Sequence, residues 1–167
     1  MEPQQVELYI QYGLVIAHNN TAKMNIYGLS LLIFVIVDNN YSTRPVAQAF
    51  LNDKTLESYL WSLKVILQAY GIYLTVMITD ADPAMDVAIA QIYSQTRHLH
   101  CIWHIDQNIP KNLKSKLHDD YEEFAKKFFQ YHNKLSIENF EHDYIKLIED
   151  YPNVKGYLKR LYESKES

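Results

Sequence analysis

The run Leu29 to Val37, "LSLLIFVIV", constrains the fold more than any other stretch of the chain. Only Ser30 interrupts it. It is too short to cross a bilayer as a helix. Its Leu, Ile and Val content reads as a strand buried on both faces. Such a strand needs a sheet beside it and helices packed on that sheet. The chain has 167 residues, 48% of them apolar, which is enough for one core of this kind.

The neighbouring segments supply the partners. "LVIAHN", Leu14 to Asn19, precedes the run as a first strand. The Asn39-Asn40 pair gives turn chemistry after it, and "RPVAQAF", Arg44 to Phe50, follows as a third strand, so these three can form an antiparallel meander. "TLESYLWSLKVILQAYG" reads as a helix. Thr55 caps its start, Leu56, Leu60, Leu63, Leu67 and Tyr70 recur at helical spacing, and Gly71 ends it. "YLTVMITD" is a fourth strand. "PAMDVAIAQIYS" is a helix with Asp82 as N-cap and Pro83 in its first turn. "HLHCIWH", residues 98 to 104, alternates and reads as a fifth strand. From about residue 108 the pattern is helical and rich in Lys and Glu. In "SIENFEHDYIKLIEDY", Ile137, Phe140, Tyr144 and Leu147 form an apolar stripe. The order βββαβαβ predicts an α/β fold, a mixed sheet flanked by helices, as in an RNase H-like domain.

Charge and cysteine usage narrow the functional classes. The formal net charge is −4, so contact with nucleic acid has to rest on local patches. Lys111, Lys114 and Lys116, followed by Lys126 and Lys127, make one, although a solvated helix face has the same composition. The single cysteine, Cys101, excludes an internal disulfide framework and fits a reducing compartment. Met1-Glu-Pro-Gln-Gln lacks the basic start of a signal peptide. No membrane partner is expected.

Several residues invite chemistry. Asp80 and Asp82 end the fourth strand. Asp82 reads as a helix cap, and Asp80, at the strand tip, is better placed to hold a metal. Cys101 and His104 have a Cys-x-x-His spacing, but zinc takes about four ligands and the chain has no second Cys pair. His98, His100 and His104 share one face by strand period; a partly solvated edge competes with a metal triplet there. Trp61 and Trp103 read as core or domain-contact residues.

Four blocks resemble the transposase domain of Mutator-like elements, the MULE domain, which is shared with the far-red-impaired-response transcription factors of plants. They are "NNTAKMNIYGLSLL", "VDNNYSTRPVAQAFLNDKTLESYLWSL", "VMITDADPAM" and "RHLHCIWHIDQNIPKNL". They cover roughly residues 14 to 117 in the family's order and spacing. The resemblance implies an RNase H-like fold with a DDE carboxylate triad and two divalent cations, Mg²⁺ or Mn²⁺, that activate water or a DNA 3′-hydroxyl for attack on a phosphodiester. It makes Asp80 the second acid, places Cys101 and His104 in a motif that shapes the active site, and sets Lys111, Lys114 and Lys116 near DNA phosphates. It also implies a nuclear location.

The first acid is where the sequence departs from the family. Thr21, Lys23, Asn25, Tyr27 and Gly28 fix a register that puts Asn19 at that position. An amide carries no charge, so weakened metal binding is expected. Asp38 is the nearest carboxylate that could compensate. The third acid, a Glu beyond a helical insertion in the family, has no clear match; Glu138, Glu141 and Glu149 sit on an ordinary amphipathic helix. The expected organisation is a lead-in over 1–13, an incomplete core over 14–117 and a truncated helical insertion over 118–167. The expected function is a MULE-type transposase domain that is inactive as a fragment, with weak or residual DNA binding and possible contact with itself or with other transposase segments. The alternative is a domesticated, non-enzymatic DNA- or protein-interaction module of a nuclear transcription regulator.

Overall fold

The computed structural model describes residues 2–21, 25–134 and 136–163. Five strands form one sheet: β1 (Val15–Asn20), β2 (Ser30–Val37), β3 (Thr43–Leu51), β4 (Val76–Thr79) and β5 (Arg97–His100). Their order is β3-β2-β1-β4-β5. β2 runs antiparallel to both β1 and β3, whereas β4 runs parallel to both β1 and β5. The helices in chain order are α1 (Pro3–Tyr12), α2 (Leu56–Tyr70), α3 (Pro83–Ile92), α4 (Ile102–Leu117), α5 (Tyr121–His132), α6 (Ile137–Asp150) and α7 (Lys155–Glu163). The chain divides between His104 and Ile105 into a sheet unit and a helical unit.

Local chemistry sets the ends of α2 and α3. The Thr55 side chain accepts a hydrogen bond from the Ser58 N–H, and Gly71 sits at φ 65°, a left-handed conformation that costs glycine little. Asp82 accepts from the N–H groups of Ala84 and Met85.

α1 lies where the sequence suggested only a lead-in. Tyr9 on α1 is 0% exposed and stacks on Tyr70 of α2 with ring centroids 3.7 Å apart. The residues before the first strand are therefore part of the core. With them, Tyr59, Leu63, Ile66, Met85, Ala88 and Ile89 from the helices join Ile16, Leu32, Phe34, Ile36 and Met77 from the strands.

The core lies on one face of the sheet. Along β2, Ser30, Leu32, Phe34 and Ile36 are buried, while Leu31, Ile33 and Val35 are only half-buried. This corrects the expectation of a strand buried on both faces. β2 is paired antiparallel on both sides, and an antiparallel sheet can leave one face partly open.

One further expectation changes and one is narrowed. β5 ends at His100, the Cys101 N–H donates to the Thr79 carbonyl, and α4 starts at Ile102, so residues 98 to 104 are not one strand. Ile105, Ile109, Leu113 and Leu117 recur every four residues and pack into the helical unit's core, and that helical period overrides the short alternation before it. Trp61 and Trp103 are 56% and 59% exposed. On α2 the buried positions are Tyr59, Ser62, Leu63, Ile66 and Tyr70, which leaves Trp61 outside the core stripe.

In the helical unit, Ile109, Leu113 and Leu117 pack with Phe124, Phe128, Tyr144, Leu147 and Leu158. Of the stripe expected on α6, Tyr144 and Leu147 are buried, Phe140 is half-buried and Ile137 is exposed. No described helix is long and apolar enough to cross a membrane.

Candidate functional site

The site is built where β1 and β4 end side by side. Their parallel register pairs Val15 with Val76, Ile16 with Met77 and Ala17 with Ile78. Carried two residues past the last pair, this register would set Asn19 opposite Asp80, and the alternation along the two strands would turn both toward the face that α1, α2 and α3 leave open. Side chains alternate along β1, so His18 and Asn20 are buried on the covered face while Asn19 is exposed. The turn that follows is held by Asn25, whose side-chain oxygen accepts from the N–H groups of Tyr27 and Leu29. Gly28 takes φ 64° there. Lys23 of the expected register lies outside the described residues.

Asp80 is half-buried, and its Oδ1 atom is buried with no hydrogen-bond partner among the described residues. Burial pushes its carboxyl above the usual range; His104 and Lys54 pull it down less strongly, and Asp82 adds to the rise. One carboxylate oxygen at the strand tip is therefore available to ligate.

Asp82 is fully engaged. Its Oδ1 atom accepts from Ala84 N at 3.0 Å and Met85 N at 3.4 Å. Its Oδ2 atom accepts from the Tyr59 hydroxyl at 3.0 Å. That hydroxyl in turn accepts from Asn20 Nδ2 at 2.9 Å. The chain Asn20–Tyr59–Asp82 ties β1, α2 and the start of α3 together behind Asp80. Burial raises the pKa of Tyr59, so it stays a donor.

His18 sits under the tip on the covered face. It is 3% exposed, and neither ring nitrogen has a partner among the described residues. Burial drives its pKa down to about 3, with smaller pushes from Lys54, His104 and His98. The imidazole is neutral at pH 7.

The other sequence candidates are distributed unevenly. Cys101 ends β5, and His104 lies in the first turn of α4, close enough to act electrostatically on both Asp80 and His18. His98 and His100 share the covered face, and His104 leaves it with α4. Asp86 of α3 stands in its place: its Oδ1 lies 3.2 Å from His100 Nε2 and 3.8 Å from His98 Nε2.

Asp38 cannot compensate for Asn19. Because β1 and β2 are antiparallel, Asn19 pairs with Ile33, and Asp38 lies five residues further along, at the opposite end of the strands. It accepts there from Asn40 N, Ser42 N and Arg44 Nε. Lys111, Lys114 and Lys116 are exposed on α4 within the helical unit. Lys111 and Lys114 share a side, while Lys116 is about 140° round from Lys111. Lys114 Nζ lies over the Tyr121 ring. Glu138, Glu141 and Glu149 are on α6 in the same unit, where Glu141 accepts from the Tyr162 hydroxyl at 2.9 Å.

Sequence reasoning missed Lys54, His18 and the role of Tyr59. Tyr59 lay inside a recognised block, "ESYLW", with no task assigned to it. Lys54 carried no signal, because an exposed loop lysine has no periodicity.

Comparison with known proteins adds the following. A family model described as the MULE transposase domain matches residues 15–108. Protein FAR1-RELATED SEQUENCE 4 of Arabidopsis thaliana is 28% identical over an alignment of 173 positions that covers 99% of this chain and 23% of that protein. Protein FAR-RED IMPAIRED RESPONSE 1 of the same plant is 26% identical, over 72% of this chain and 14% of that protein. The chain spans less than a quarter of the length of these relatives. Among solved structures, a chain from the simian T-cell lymphotropic virus intasome in complex with PP2A regulatory subunit B56 gamma gives a TM-score of 0.39. It is 15% identical and covers 80% of this chain and 46% of that one; so loose a likeness carries no argument.

Proposed function

The chain belongs to the MULE transposase domain family, and from that premise we propose that it is a transposase-derived, RNase H-like domain whose acidic centre has lost one charged ligand. The RNase H-like reading is supported by the strand order β3-β2-β1-β4-β5, antiparallel through the first three strands of the chain and parallel for the last two. Family chemistry is phosphodiester attack at a DDE carboxylate triad with two divalent cations. Asn19 holds the position of the first acid and Asp80 that of the second, with Cys101 and His104 as the accessory motif.

What supports this reading is the parallel β1–β4 register, which leads toward Asn19 and Asp80 when carried two residues past its last pair, together with the exposure of Asn19. Hard divalent ions prefer oxygen ligands, and a two-ion centre needs bridging carboxylates. Asp80 offers one free oxygen, Asn19 only a neutral amide, and Asp82 is committed to α3 and Tyr59. The Lys54 ammonium adds positive charge beside the tip. This donor set does not fit a Mg²⁺ or Mn²⁺ pair, so no catalytic step is assigned to one.

The test is calorimetry with Mn²⁺. Asn19→Asp is expected to raise affinity at least tenfold over the natural chain, and Asp80→Asn to remove that gain. No change on Asn19→Asp would show that the two residues do not share a site. In a Mn²⁺-dependent nicking assay the natural chain is expected not to cut. Cutting abolished by Asp80→Ala would overturn the inactive reading.

A second reading is a DNA- or protein-interaction module in a nuclear regulator. It is favoured by the likeness to FAR-RED IMPAIRED RESPONSE 1, whose family resemblance implies transcription factors, and by the exposed lysines of α4. DNA binding that weakens with salt, and falls when Lys111, Lys114 and Lys116 are replaced by Gln, would support it.

A further inference from the structure

We infer that Asp86, His98 and His100 form a binding site for one divalent transition metal of the zinc class, separate from the Asn19–Asp80 tip. The topology creates it. β5 is parallel to β4 with Met77 opposite His98 and Thr79 opposite His100, so both imidazoles project to the face that α3 covers. Asp86 lies in the first turn of α3 and reaches down to them. The tip residues project from the other face of the same sheet.

The geometry suits a four-coordinate ion. One ligand atom from each of the three residues lies within 4.8 Å of the others. Zinc holds nitrogen and carboxylate oxygen at roughly 2.0–2.2 Å, which puts neighbouring tetrahedral ligands about 3.4 Å apart. The measured separations of 3.2 Å and 3.8 Å from Asp86 Oδ1 bracket that spacing. The two rings cross at 85° with centroids 5.2 Å apart, so their nitrogens can converge without stacking. Both imidazole side chains are nearly buried, and the carboxylate keeps one quarter of its surface in solvent, leaving a path for entry and room for a water as fourth ligand.

Ligand type separates the two sites chemically. Imidazole favours zinc-class metals over Mg²⁺, which takes oxygen donors. A His–Asp pair accounts for the His100–Asp86 contact and the Thr79 hydroxyl holds His98 Nε2; an ion would in addition join the three ligand atoms, which lie within 4.8 Å of one another. One adjustment is needed. The Thr79 hydroxyl donates to the Asp80 carbonyl, so in its 2.7 Å contact with His98 Nε2 it accepts. Ligation by that nitrogen moves the ring proton to Nδ1 and gives up this bond. A bound ion would clamp β5 to the helix that starts just behind Asp80.

The experiment uses the full chain, freed of metal with a chelator. Zn²⁺ titrated against a competing indicator is expected to bind one per chain and to raise the melting temperature. Asp86→Asn and His100→Gln are expected to weaken binding roughly a hundred-fold and to abolish the rise, with metal-free circular dichroism unchanged. Should His100→Gln fail to fold, Asp86→Asn alone, at the half-open position, decides the matter. Asp80→Asn and Cys101→Ser are expected to bind as the natural chain does. Co²⁺ is expected to give a tetrahedral spectrum without a thiolate charge-transfer band. No stoichiometric binding, binding untouched by Asp86→Asn, or a thiolate band lost in Cys101→Ser would each overturn the proposal, the last by placing the ion on Cys101 and His104. These outcomes are independent of Mn²⁺ binding at the tip, so either site can fail alone.

Discussion

The two faces of the sheet are made from the same strands and meet burial in opposite ways. On the covered face, His18 is buried with no hydrogen-bond partner among the described residues and gives up its charge, while Thr79 and His98 bond to each other. On the open face, Asn19 is exposed and Asp80 keeps a carboxylate half in solvent. The difference comes from where the helices lie: α1, α2 and α3 all pack on one side. Structure is concentrated on the first face, and the second keeps the groups available for chemistry.

The comparison breaks most visibly through packing. Phe34→Ala removes a 1% exposed ring from the covered face and is expected to cost about 3–5 kcal/mol. Ile33→Ala, its neighbour on the open face, is expected to cost about 1 kcal/mol, since the side chain is already half in water. Urea unfolding of both variants measures the gap, and equal losses would mean that both faces are packed alike.

Acid sharpens it next. The folded-state pKa of His18 is depressed to about 3 from 6.5, so the unfolded chain binds the extra proton between those values. Stability from this residue is complete above pH 6.5 and is lost as pH falls towards 3. By pH 4.5 the loss is on the order of 3 kcal/mol. His18→Leu should flatten that part of the stability-versus-pH curve. Lys54, His104 and His98 face the ring and contribute to its depression, so Lys54→Gln should soften the loss slightly.

A smaller effect tests the link behind the tip. Tyr59→Phe removes the hydroxyl between Asn20 and Asp82 and leaves both without that partner, at about 1–2 kcal/mol. Thermal melting would register it. Smallest and opposite in sign is Asp80→Asn. The folded-state pKa of Asp80 is raised, so the folded chain is penalised once pH rises through the carboxylate range. Neutralising the side chain is expected to stabilise the protein at pH 7 by under ~1 kcal/mol. The gain should vanish in acid, where Asp80 is protonated anyway.

Much of this was legible in the residues. The apolar runs located the first four strands and the start of the fifth, and Thr55, Gly71 and Asp82 marked helix ends by hydrogen-bonding and φ requirements that act locally. The His98–His104 segment misled because alternation over a few residues looks like a strand, whereas the four-residue spacing from Ile105 to Leu117 sets the local structure. Asp38 misled because a residue at a strand end gives no hint of which end of the sheet that is. Lys54 and Asp86 were invisible because their importance lies in what they stand beside.

The sequence by itself determined the order of the strands along the chain, the helices α2 and α3, and the family, because these depend on residue identity and short-range spacing. Only the tertiary structure decided that α1, α2 and α3 share one face of the sheet, that Asp80 keeps an oxygen without a partner among the described residues while both oxygens of Asp82 are engaged, and that Asp86 meets His98 and His100. Those outcomes depend on strand order and on which face each helix covers, and the pairing of distant segments sets both.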